Sequence, residues 1–173
     1  IQVSRRIMKY KLWALIPCLV FMHHVQAVQA SEMVGPTITL SSCAKGASGV
    51  TMTVTLIPNA TVYRPAAITI SLSGAGLALA GGSETAVAFT APASSANPVG
   101  TAKLYQNTLI ISLMGDGTYT AAHPITFTIP GFTNPTGSQA AITNFAAAIT
   151  AISDGSTYGT SVTGTYPAIM DTS

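Results

Sequence analysis

Residues Thr108 to Pro135 read TLIISLMGDGTYTAAHPITFTIPGFTNP, and two alternating runs lie within them. Leu109, Ile111 and Leu113 share one side of the first run; Ile125, Phe127 and Ile129 share one side of the second. Side chains alternate across a strand, so each run sets large apolar groups on one surface and mostly Thr or Ser on the other. Gly115-Asp116-Gly117 between the runs supplies turn chemistry, which predicts a hairpin joining them.

The same period extends outward. Val50, Met52, Val54 and Leu56 alternate with Thr51, Thr53 and Thr55, and Ile68, Ile70 and Leu72 alternate with Thr69 and Ser71. Shorter strands are expected at Thr37 to Leu40 and around Val87 and Phe89, with Ala91 to Gly100 a Pro, Ala and Ser-rich loop. Gln139 to Ser153 carries two readings. Ile142, Phe145, Ile149 and Ile152 fall at helical spacing, but Asp154-Gly155 is a hairpin signal that favours strand. These patterns predict an all-β fold, a single antiparallel β-sandwich of immunoglobulin-like or jelly-roll-like form.

The N-terminus reads as an address rather than a fold. Arg5, Arg6, Lys9 and Lys11 precede the apolar run Leu12 to Met22, and His23-His24-Val25-Gln26-Ala27-Val28-Gln29-Ala30 follows with a small-residue cleavage site. That is the layout of a secretory signal peptide over residues 1–30, with cleavage expected after Ala30 or Ala27 and Met8 as the start. The apolar run is about half the ~20 residues that a spanning helix needs, so no membrane span is expected in the mature chain. The expected mature domain is 31–173, with a short N-terminal arm at 31–42 able to add to a neighbour's sheet edge.

Removing the leader inverts the charge. Four of the seven Lys and Arg leave with it, so three bases face five acids, and the formal charge falls from +2 to −2. A nucleic-acid partner then has no basic surface to bind. Cys18 also leaves, so Cys43 has no internal partner, and a buried or an intermolecular thiol is expected there. Asn59-Ala60-Thr61 is a candidate N-glycosylation sequon, at Asn59.

No catalytic, cofactor-binding or metal-binding residue is expected. His123 is the one histidine after the leader and is read as a strand-entrance hydrogen-bonding residue. Asp116 and Asp154 are explained by their DG turns, and the five acids are too scattered for a carboxylate pair or a calcium cluster. Tyr63, Tyr105, Tyr119, Tyr158 and Tyr166 leave room for a glycan-binding face.

The run from Ile125 to Pro135, followed by Ser153-Asp154-Gly155, resembles a strand–turn pattern in secreted β-sandwich domains of microbial and algal surface and filament proteins. The resemblance spans Leu109 to Gly155. It implies a structural or adhesive module and supplies no catalytic residue. A tandem array, a sorting motif, a membrane anchor after Met170 and the disulfide pair of chaperone–usher pilins are all missing from the pattern. The expectation is a secreted subunit of an extracellular fibre or surface layer, partnered by itself through strand edges or the exchanged arm. The alternative is a monomeric surface adhesin or glycan-binding module.

Overall fold

A computed structural model describes residues 32–79, 84–91 and 99–171. The leader, residues 1–30, lies outside them. Every named element is a strand, and no helix occurs among the described residues.

The first half of the chain supplies β1 (Val34–Leu40), β2 (Val50–Ile57), β3 (Val62–Tyr63), β4 (Ala66–Ser71), β5 (Ala78–Leu79), β6 (Thr85–Ala91) and β7 (Val99–Tyr105). The second half supplies β8 (Thr108–Met114), β9 (Thr118–Tyr119), β10 (Ile125–Thr133), β11 (Ile142–Thr143), β12 (Ala147–Ala151), β13 (Thr157–Ser161) and β14 (Thr165–Tyr166). Twelve of them form one large sheet in the order β11-β14-β1-β2-β10-β6-β7-β8-β4-β12-β13, with β5 on β10; β3 and β9 pair separately.

The sheet is curled, and two strands show how. Thr85, Ala86 and Val87 of β6 pair with β7, whereas Ala88, Phe89 and Ala91 pair with β10, so one strand serves both halves. At the other end, the Met33 amide donates to the Thr160 carbonyl of β13 at 2.9 Å, immediately before β1 joins β2. Side chains from both halves therefore meet in one interior. Met52, Val54, Phe127 and Ile129 belong to the same buried cluster as Ile68, Ile111, Leu113 and Ile149. Burial on this scale is the main stabilising term, at about 1.5–3 kcal/mol for each large apolar side chain taken out of water.

The expected hairpin between Leu109 and Ile129 does not form. β8 pairs with β7 and β4, while β10 pairs with β2, β5 and β6. Ten residues separate the two strands, far more than a two-residue hairpin turn, and all but Ala121 and the buried Tyr119 are exposed as the chain passes from one half of the sheet to the other. Gly115 and Gly117 have φ of 83° and 115°, and they lead into β9, which pairs with β3 through Val62↔Tyr119 and Tyr63↔Thr118. The apolar faces were nevertheless read correctly: Leu109, Ile111, Leu113, Ile125, Phe127 and Ile129 are all fully buried.

The structure bears on two other readings. Within the expected arm, β1 is paired into the sheet: it lies between β14 and β2 and buries Ile38, with Met33 buried just ahead of it. For 139–153 the favoured strand reading holds and the helical one fails. Phe145, Ala147, Ile149 and Ala151 are buried at a period of two, and Ile152 is half exposed. Asp154-Gly155 does close a hairpin, with β12 and β13 antiparallel, Gly155 at φ 72° and the Asp154 carboxylate accepting from the Ser156 amide at 2.9 Å. That hydrogen bond holds the exposed Asp154 carboxyl below its ordinary pKa.

Candidate interaction surfaces

β-branched threonine suits a pleated strand, and it fills two registered rows on one outward face of the sheet. Thr37 and Thr39 on β1 stand opposite Thr55 and Thr53 on β2, which stand opposite Thr126 and Thr128 on β10. The first row continues across the sheet, since Thr37 pairs with Thr165 of β14 and Thr165 with Thr143 of β11. The result is one row of five threonines and a second row of three. Each alternates along its own strand with a residue of the interior, such as Ile38, Val54 or Phe127.

Three of the side chains in these rows are held by hydrogen bonds. Thr55 Oγ1 and Thr126 Oγ1 share a hydrogen bond of 3.0 Å, and Thr128 Oγ1 reaches the Ala88 carbonyl at 3.5 Å. β1, β2, β6, β10, β11 and β14 carry no charged residue at all.

The opposite outward face is built alike but filled differently. Across β4, β8 and β7 the registered positions are Ala67–Ser112–Thr101, Thr69–Ile110–Lys103 and Ser71–Thr108–Tyr105. Small, aliphatic, basic and aromatic residues mix there.

A third surface surrounds β3. The Tyr63 ring is 59% exposed and lies 6.3 Å from the half-buried Tyr158 ring at an interplanar angle of 44°. Beneath it the Arg64 guanidinium donates to the carbonyls of Met114 and Asp116 and sits 5.5 Å from the Tyr119 ring centre. Burial raises the Tyr119 pKa above 10.0, and the Arg64 charge opposes that rise. Arg64 thus clamps the GDG turn, a role no local sequence signal announces.

Cys43 is half-buried, between the two outcomes expected for it, and is a free thiol. Its loop is fixed from below. Asn134 Nδ2 donates to the carbonyls of Ser42 and Ala44 at 2.9 and 2.8 Å, and the Asn134 amide donates to Ala47. The Met170 amide donates to the Cys43 carbonyl, and Lys45 forms an ion pair with Asp171. Nearby Tyr166 is buried with its pKa pushed up, chiefly by desolvation and secondarily by Cys43.

Asn59 is exposed in the bend that follows β2, an accessible place for a sequon. It borders an open cleft of about 490 Å³ whose wall includes Met33, Ile57, Pro58 and Thr163, and whose sole ionisable group among the described residues is Glu32. His123 is exposed, and its Nδ1 lies 3.0 Å from the Ala121 carbonyl. Among the described residues, no three His, Cys, Asp or Glu side chains come close enough to hold a metal ion, and no helix is long and apolar enough to cross a membrane. The threonine rows were visible in the sequence as TIT, TMTVT and TFT, but only the register shows them to be one surface.

Comparison with known proteins finds no matching family model and no matching curated protein.

Proposed function

We propose that this chain is the subunit of an extracellular fibre or surface layer, secreted behind a cleaved leader and folded as an immunoglobulin-like or jelly-roll-like sandwich. The observation that carries this reading is the position of β1. A strand at the start of the domain completes the curl by pairing with β2 on one side and β14 on the other, while Glu32 and Met33 reach β13. A terminal strand with such contacts is exchangeable, because the β1 of a second copy makes the same hydrogen bonds and fills the same Ile38 site. The alternative route, pairing through free sheet edges, has less to offer. One end of the sheet is the two-residue β11, and at the other end β13 is already met by Met33.

The test is a lock. With Cys43→Ser removing the native thiol, Thr39→Cys and Thr53→Cys place a cysteine pair across β1 and β2, whose Cα atoms are registered partners. Oxidised, the variant is expected to stay monomeric; reduced, it is expected to polymerise as the parent does. Polymers from the oxidised, intrachain-locked protein would reject strand exchange in favour of edge pairing.

A second reading rests on the exposed Tyr63 ring beside Tyr158, which offers a stacking surface to a sugar ring. On that reading the chain is a monomeric surface adhesin or glycan-binding module. It predicts binding on a glycan array that Tyr63→Ala removes.

A further inference from the structure

We infer that the threonine face of β1, β2 and β10 binds the surface of ice. The first ground is geometry. Strands lie about 4.8 Å apart and alternate residues about 6.7 Å apart along a strand, so registered threonines form a rectangular net of hydroxyls and methyls. Hexagonal ice presents nets of closely similar repeat on its prism faces. Strand twist of about 20° per neighbour limits the match to the central strands, where the two rows are complete.

The second ground is chemistry. A threonine hydroxyl both donates and accepts, as lattice water does, and its methyl fills the gap between water positions. The stiff χ1 of threonine and the Thr55–Thr126 hydroxyl bond fix this net before any partner arrives, which lowers the cost of ordering it.

The other occupants fit less well. The face carries no charge to meet a polyion or a mineral, and no aromatic ring in its rows to stack a sugar. Its footprint is a few hundred square ångströms, below the roughly 800 Å² per partner of a stable protein interface. A second copy seated there would hold weakly; an extended lattice does not need a closed interface. The inference is independent of strand exchange, since a single domain presents the whole face.

The experiment is partition of the full chain into slowly growing ice, beside a bystander protein of similar size, with ice-crystal shape recorded in the same solution. The protein is expected to enter the ice while the bystander is excluded, and to facet the crystals. Thr53→Lys with Thr128→Lys is expected to abolish both effects, whereas Thr69→Lys on the opposite face leaves them unchanged. Thr53→Val retains the shape of the side chain and guards against misfolding; it is expected to reduce ice entry with an unaltered unfolding midpoint. Exclusion of the parent protein from ice overturns the inference, and so does undiminished entry of a folded Thr53→Lys, Thr128→Lys variant. Polymers that form without ice entry would leave the subunit reading standing and reject this one.

Discussion

The two outward faces of the sheet share an interior and a pattern, and they differ in what the pattern is filled with. On β1, β2 and β10 the outward registered positions are Thr without exception over two rows. On β4, β8 and β7 the same kind of position holds Ala, Ser, Thr, Ile, Lys and Tyr. Strand propensity alone favours Thr on both faces equally. Folding constrains the inward side chains, so a bias confined to one outward face points to what that face meets.

The comparison assumes that the interior beneath both faces is one unit, and that assumption breaks first if it is wrong. Phe127 and Ile111 are both fully buried, one on each side of the curl. Phe127→Ala is expected to cost about 3–5 kcal/mol and Ile111→Ala about 2–5 kcal/mol. Chemical denaturation of each is expected to show a single transition shifted as a whole; two separable transitions would mean two interiors.

The seam is the next point to probe. A Cβ on Gly100 of β7 would lie 2.8 Å from the Ser112 carbonyl oxygen and 2.9 Å from the Phe89 ring, where β6 changes partners. Gly100→Ala is expected to destabilise by about 1–3 kcal/mol, read from the urea midpoint. A comparable loss, about 1–3 kcal/mol, is expected for Asn134→Ala, which frees the carbonyls of Ser42 and Ala44.

Alkaline pH tests the two halves together. Tyr166 and Tyr119 are buried with raised pKa values, so the folded state favours their protonated forms. Their contribution is present below the unfolded value near 10.0 and is lost as pH rises above it. Tyrosinate absorbance is expected to show the buried Tyr119 and Tyr166 ionising only as the fold opens. The smallest effect concerns the faces themselves. Thr53→Val and Thr69→Val are each expected to leave stability within about 0.5 kcal/mol, because neither outward row is needed to fold.

Much of this was legible because strand alternation is local. The buried sides of β2, β4, β8 and β10, and the β12–β13 hairpin, can be read from single runs such as Val50 to Leu56. Pairing is not local, and there the sequence misleads. GDG looks like a hairpin turn between Met114 and Ile125, yet β8 finds β4 and β10 finds β2, dozens of residues away. Part of β1 was legible as a strand at Thr37 to Leu40, but its pairing with Thr165 depends on the far end of the chain. Arg64 and Asn134 act on distant backbone carbonyls, which no motif encodes. The threonines of the candidate face were each visible; their alignment was not.

The central claim is that the domain is made to join copies of itself, and electron microscopy of the secreted full chain tests it most directly. Ordered polymers in negative stain, lost when β1 is locked to β2 by the Thr39→Cys, Thr53→Cys disulfide, are the expected result. Monodisperse particles of one domain's size from the unmodified chain would contradict it.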